Sequence, residues 1–325
     1  MESSVSSSAD QSVADPALTQ DQPGGTIPEY VELVFVEDAH NRQVTALTLD
    51  GDIVARIPVG KEPHDIAVSP DQRYVVTANQ GDGTVSVIET ATLSPVKTIA
   101  TGKGAHGVAF SPDGQFLFVA NSQDDTLSII DAATFARQEK VTIAGTPEYV
   151  GVTKDGFHVF TTNLGGNGSI TVLRNRGFAS SIVKTSYPGI DPHGWALVPD
   201  GRAVVITNLG SNFTYLLDSE TFESIGRIDT GATTEFAAFR NGIELWVTNI
   251  GSHYLSIIDI EKNDVIGTIT VGETPHGISF SSDRSRAFVP LYGSGEVAII
   301  DAVARIVLKK VPVGQELHNA AVARL

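Results

Sequence analysis

The chain has 325 residues, 41% of them hydrophobic, which is ample for a large buried core, and its 22 Lys and Arg against 38 Asp and Glu give a net charge of −16. That charge repels a phosphate backbone and an anionic membrane surface, so no nucleic-acid partner is expected. No apolar run reaches the ~18 residues of a spanning helix, so no membrane insertion is expected either. There is no cysteine, which excludes disulfides, thiolate ligands and Cys nucleophiles.

Residues 1–28 are rich in Ser, Asp and Gln, without hydrophobic periodicity, and read as a disordered tail. They lack the basic and apolar stretches of a signal peptide. A cytoplasmic tail and the start of an exported mature protein both fit. A periplasmic or extracellular location is the expectation.

Residues 29–325 read as one all-β domain. Three strand-like runs come first, Val31–Val36, Val44–Leu49 and Ile53–Val59. His64 then opens a unit of four, Asp65–Ser69, Tyr74–Ala78, Thr84–Glu89 and Val96–Ala100. Short β-branched runs bounded by Gly, Asp, Asn and Pro are strand punctuation. In Ile66-Ala67-Val68 consecutive residues are apolar, so that first strand is expected to be buried on both faces. The same frame returns at His106, Glu148, His193, Glu235, His276 and His318, with successive spacings of 42, 42, 45, 42, 41 and 42. Four strands at this period predict a β-propeller. The last anchor, His318, starts a single strand that ends at Leu325. It is expected to join the three N-terminal strands, closing seven blades of four antiparallel strands with no free edge at the seam.

The second strand of most units ends on Asn: Asn79, Asn121, Asn163, Asn208 and Asn249, the last within Val247-Thr248-Asn249. Here the chain resembles the YVTN family of β-propeller repeats over about residues 30–325. Leu291 and Glu37 stand in place of Asn in blades six and seven. The resemblance implies the fold and leaves the function open, because propellers host many activities. The Asn row itself reads as turn chemistry.

The anchors carry the chemical signal. Five of the eight histidines fall on one repeat position, His64, His106, His193, His276 and His318, and Glu148 and Glu235 fill the other two places. An anchor just before each inner strand puts all seven at one mouth of the central channel. Neutral imidazole suits Fe, Cu and Zn, and carboxylates complete such a site or fix a histidine tautomer. The ring therefore reads as a divalent transition-metal site. Anchor Cα atoms very roughly 8–11 Å from the axis limit one ion to three or four histidines. The run His276, His318, His64, His106 is the expected core, with His193 across the ring.

A metal-dependent enzyme acting on a small molecule in the funnel is one reading, an oxidoreductase if the ion is Fe or Cu. As architecture, the pattern is similar to carotenoid-cleaving oxygenases and nitrous oxide reductase. The other reading is a non-enzymatic binding propeller with solvated channel histidines. A monomer is expected in both. His158, at the start of a second strand, is expected on the opposite face. His40 and His253 read as loop residues.

Overall fold

In the computed structural model the described residues are 31–136, 138–165 and 168–325. The expected tail lies outside them. From Val31 to Leu325 the chain forms seven four-stranded antiparallel sheets. Blade one is typical: Pro63–Val68, Tyr74–Asn79, Thr84–Glu89 and Ser94–Ala100, paired in sequence order from the hub outward. Blade seven is closed by strand exchange. Its inner strand is Leu317–Arg324, hydrogen-bonded to Glu32–Asp38, which is followed by Gln43–Thr48 and Ile53–Pro58. No helix among the described residues is long and apolar enough to cross a membrane.

The core lies between blades. The two central strands of most blades are buried almost throughout, as in Tyr74–Asn79 and Thr84–Glu89; Phe213–Asp218 in blade four is the exception. A large apolar side chain buried there contributes about 1.5–3 kcal/mol. Fourth strands face solvent, as Ser94–Ala100 does. Inner strands differ from the expectation of two buried faces. Ile66 is buried, but Ala67 and Val68 are only partly so, because one face borders the channel.

A backbone device aims the anchors. The residue two before each anchor is left-handed in all seven blades: Glu62, Gly104, Thr146, Asp191, Thr233, Thr274 and Glu316, with φ between 52° and 67°. Six of these are not glycine, and each such residue carries roughly 1–2 kcal/mol of strain. The pairing then slips at the anchor itself, between Pro63 and Asp65, Ala105 and Val108, Pro147 and Tyr149, Pro192 and Trp195, and Thr234 and Ala237. The extra residue is a bulge, which turns a side chain out of the ladder. The anchors thus sit within the start of the strand rather than before it. Blade six is the exception: only Ser279–Phe280 is regular, and His276 precedes it in irregular backbone tied by a Pro275–Leu291 bridge.

The Asn row is structural. The Asn79 amide donates to Thr84 Oγ1 and Ser86 Oγ, and Asn121 repeats this with Thr126 and Ser128. In blade seven the equivalent position is Asp38, not Glu37. Asp38 pairs with Gln43 and Leu317 as Asn79 pairs with Thr84 and Pro63. Counting from the strand end missed by one residue. Leu291 does replace Asn in blade six, opposite Glu296.

Candidate metal centre

The bulged inner strands bring all seven anchors into one layer across the channel mouth. His64 is the hub of this layer. Its ring centroid lies 3.7 Å from that of His106, 3.9 Å from His318 and 5.9 Å from His276. His318 Nδ1 is 3.2 Å from His276 Nε2. One donor nitrogen from each of His64, His276 and His318 lies within 4.8 Å of the others. The His276–His318 contact is a ring-to-ring hydrogen bond, and its length is also close to the roughly 3.4 Å between two nitrogens bonded at about 2.0–2.1 Å to one tetrahedral ion.

The remaining anchors surround this triad. Glu148 Oε2 is 2.6 Å from His106 Nε2. Glu235 Oε1 lies between His193 Nδ1 at 3.3 Å and His276 Nε2 at 3.1 Å. Of the expected core, His106 is the one drawn aside: it stacks on His64, and its Nε2 is taken by Glu148. His158 is on the opposite face, at the start of the second strand of blade three, packed on Phe222. His40 is exposed, and His253 Nδ1 accepts from the Thr274 N–H in a loop.

Burial dominates the electrostatics. It holds His64 and His276 well below the usual imidazole range and pushes His193 and His318 down to about 3, with the neighbouring histidines adding to it. The same burial raises carboxyls, Glu235 to about 8, with repulsion from Glu148 second. Glu148 goes the other way. Burial alone would raise it, but the His106 hydrogen bond and the charges of His106 and His193 outweigh that and lower it. His64, His193, His276 and His318 are therefore neutral at neutral pH, the form that coordinates a metal. Several buried atoms have no hydrogen-bond partner: His106 Nδ1, His193 Nδ1, His276 Nδ1 and Glu235 Oε2. Such orphans cost about 1–3 kcal/mol each, so an occupant that bonds them is favoured.

Sequence reasoning missed the layer beneath. The residue after each anchor is Asp65, Gly107, Tyr149, Gly194, Phe236, Gly277 and Asn319, glycine in every even blade and a larger residue in every odd one. The glycines let neighbouring strands close up: a Cβ on Gly107 would meet Tyr149 Cα at 2.5 Å, and one on Gly194 would meet Glu235 O at 2.4 Å. The larger side chains fill the axis. Tyr149 is 1% exposed and meets Phe236 edge-on at 4.8 Å, and its hydroxyl is 3.3 Å from His64 Nδ1. Between the adjacent odd blades seven and one, Asn319 Nδ2 donates to Asp65 Oδ1 at 3.1 Å. Below this plug is a cavity of about 360 Å³ lined in part by Tyr149, Phe236, Asp65 and Asn319. The alternation was visible in the sequence and is the signal that would have found Tyr149.

The donor set of imidazoles and carboxyls suits one transition-metal ion. A tetrapyrrole does not fit at this level. Rings of non-adjacent blades meet near the axis, with Tyr149 4.8 Å from Phe236 and 6.2 Å from His64, leaving no slot for a macrocycle between them.

Two family models match parts of the chain: a YNCE-like beta-propeller over residues 78–162 and a Cytochrome D1 heme domain over residues 32–106. No curated protein matches significantly. Among solved structures, the chain is similar to Kuenenia stuttgartiensis hydrazine synthase, at 17% identity and TM-score 0.74 over 82% of this chain and 91% of that one. A functionally unknown protein from Desulfotomaculum acetoxidans matches at 14% and 0.79, over 90% and 98%. Dihydro-heme d1 dehydrogenase NirN, solved in complex with DHE, matches at 16% and 0.66, over 94% and 77%. At these identities the likeness is one of fold. Together with the repeat and the closed ring, it places the chain among the seven-bladed β-propellers of the YVTN type.

Proposed function

We propose that the protein is a metal-binding β-propeller whose channel mouth holds one transition-metal ion, Fe, Cu or Zn, on His64, His276 and His318. The observation that carries this is the convergence of three imidazoles, His276 buried and His64 and His318 partly so, to within 4.8 Å. His106 and His193 flank the ion, and Glu148 and Glu235 orient the ring. Glu148 accepts the Nε2–H of His106, fixing its tautomer, and Glu235 faces His276 and His193. His64 and His318 keep partial exposure, which leaves the ion open to the mouth.

An open position on such an ion supports chemistry on a small molecule entering the funnel, redox chemistry if the metal is Fe or Cu. The local likeness to a heme domain and the likeness to a dehydrogenase solved with DHE support a metal or redox role. The lack of a slot for a macrocycle favours a bare ion over a heme. A periplasmic or extracellular location belongs to the same proposal, and cell fractionation tests it.

The deciding experiment is elemental analysis of untagged protein, followed by titration of the apoprotein with Fe(II), Cu(II) and Zn(II). The expected result is one ion per chain. Alanine at His64, His276 or His318 is expected to weaken binding by more than the roughly 10–100-fold that loss of an outer partner costs. A protein that holds no ion and binds none on titration overturns the reading and leaves a binding propeller with solvated histidines.

A further inference from the structure

A second cavity, larger than the one below the plug, lies away from the histidine ring. It measures about 860 Å³, the size of a small-molecule pocket, and opens at the opposite face between the inner hairpin turns of blades three to six. Its apolar walls include Trp195, Leu197 and Phe239, and its charged residues are Lys154, Arg240, Arg284 and Asp283. Three cations against one carboxylate is the reverse of the balance of the whole chain, at −16. Asp283 is moreover occupied by its own turn, accepting from Ser281 and Ser285.

Both arginines break the repeat where they stand. The position of Arg240 is Ser69, Ser111, Thr153 and Ser281 in four other blades. There a hydroxyl caps the turn, as Ser69 Oγ does toward Asp71 and the Tyr74 N–H. Arg240 supplies no such cap. Arg284 occupies a left-handed turn position, φ 61°, that is glycine in blades two, three and four, at Gly114, Gly156 and Gly201. A long side chain held in that conformation is strained.

Neither guanidinium is fully satisfied. Arg240 reaches Glu244 only at 3.4 Å, and that carboxylate already accepts from Arg305 at 2.8 Å and Trp246 at 2.6 Å. Arg240 Nε is buried without a partner. Arg284 donates to the Phe239 carbonyl at 3.1 Å and has no ion pair among the described residues. Burial lowers its pKa, the mark of a cation short of compensation.

The geometry points to an organic-anion site in this cleft: an oxyanion head, such as a carboxylate, between Arg240 and Arg284, with an apolar body against Trp195 and Phe239. The paired guanidiniums supply charge-assisted hydrogen bonds. The site is independent of the metal centre and does not rest on that reading.

Benzoate is a suitable probe, with benzamide as its neutral counterpart and Trp195 fluorescence as the readout. Trp246, the other tryptophan, is fully buried and is not expected to respond. Benzoate should quench saturably, more weakly as salt rises, and benzamide should bind about 10–100-fold more weakly. Arg284→Gly restores the residue other blades use at this turn, so it should fold at least as well while losing benzoate affinity by a similar factor. Absence of saturable quenching, equal binding of benzamide, or an unchanged affinity in Arg284→Gly would overturn the proposal.

Discussion

Gly107→Ala tests whether the glycines behind the histidines set the spacing of the ring. Gly107 is not left-handed, so alanine suits its backbone. The added Cβ would lie 2.5 Å from Tyr149 Cα, 2.6 Å from Glu148 O and 2.9 Å from Val150 N. Ordinary contact begins at 3.4 Å, so the inner strand of blade three must retreat by 3.4 − 2.5 = 0.9 Å. The colliding atoms are backbone, and no rotamer change relieves them. Overpacking of this kind costs about 1–3 kcal/mol, and the absence of a flexible partner puts this case near 3 kcal/mol, or about 5 °C of melting temperature. The displaced strand carries Glu148 and Tyr149, so the 2.6 Å contact to His106 and the 3.3 Å contact to His64 both lengthen. Metal affinity should then fall about tenfold. Thermal melts of apoprotein and metal titration read the two effects. Gly242→Ala is the control, since nothing lies within 4 Å of its Cβ position. If Gly107→Ala melts with the control and binds metal as the unmodified protein does, the spacing argument is wrong.

Tyr149→Phe removes only the hydroxyl facing His64 Nδ1, and should weaken metal binding about tenfold while changing apoprotein stability by about 1 kcal/mol or less; unchanged affinity by titration calorimetry would remove Tyr149 from the centre. His158→Ala should leave metal content unchanged, since it sits on the opposite face against Phe222, and metal loss by elemental analysis would misplace the site. Glu37 is fully buried against Thr77, with Asp65 near and the Asn319 N–H bonded to it, and burial, then Asp65, raises its pKa well above the usual 4.5. The folded state therefore holds an extra proton above pH 4.5, so stability should fall as pH rises, by up to about 1.4 kcal/mol per pH unit. Glu37→Gln should lack this slope, and parallel denaturation profiles from pH 5 to 7 would refute the assignment. Deleting Leu317–Leu325 strips the inner strand from blade seven and bares the edge of Glu32–Asp38; a truncated protein melting within about 2 °C of the full chain would show that the seam does not matter.

The fold was legible because a propeller states its topology in its period. Seven anchors about 42 residues apart fix the blades, and the single strand after His318 matched to three strands before His64 fixes the closure. The strand bounds in blade one differ from the sequence reading by two residues at most. What was not legible was backbone that breaks the ladder. In six of the seven blades the left-handed residue two before the anchor is Glu, Thr or Asp, such as Glu62, Thr146 or Asp191, rather than glycine, so composition does not announce it. The bulge that follows leaves no sequence mark either, and Glu37 was misplaced in the Asn row for that kind of reason.

The ring of anchors was legible by residue type and less so by geometry. A ring of identical positions implies seven equivalent side chains, but the imidazoles and carboxyls do not keep seven-fold symmetry about the axis. The alternation after the anchors decides how it breaks. Gly107, Gly194 and Gly277 admit their neighbours, and Tyr149 and Phe236 fill the axis from blades three and five. An odd number of blades cannot alternate throughout, so two large residues, Asn319 and Asp65, must meet between blades seven and one. The triad spans that same seam, His276 and His318 on one side and His64 on the other. The defect in the alternation and the convergence of the imidazoles therefore share one place in the ring. Gly277→Asn would create two further pairs of large neighbours, with Phe236 and with Asn319, extend the defect through blade six, and should separate His276 from His318.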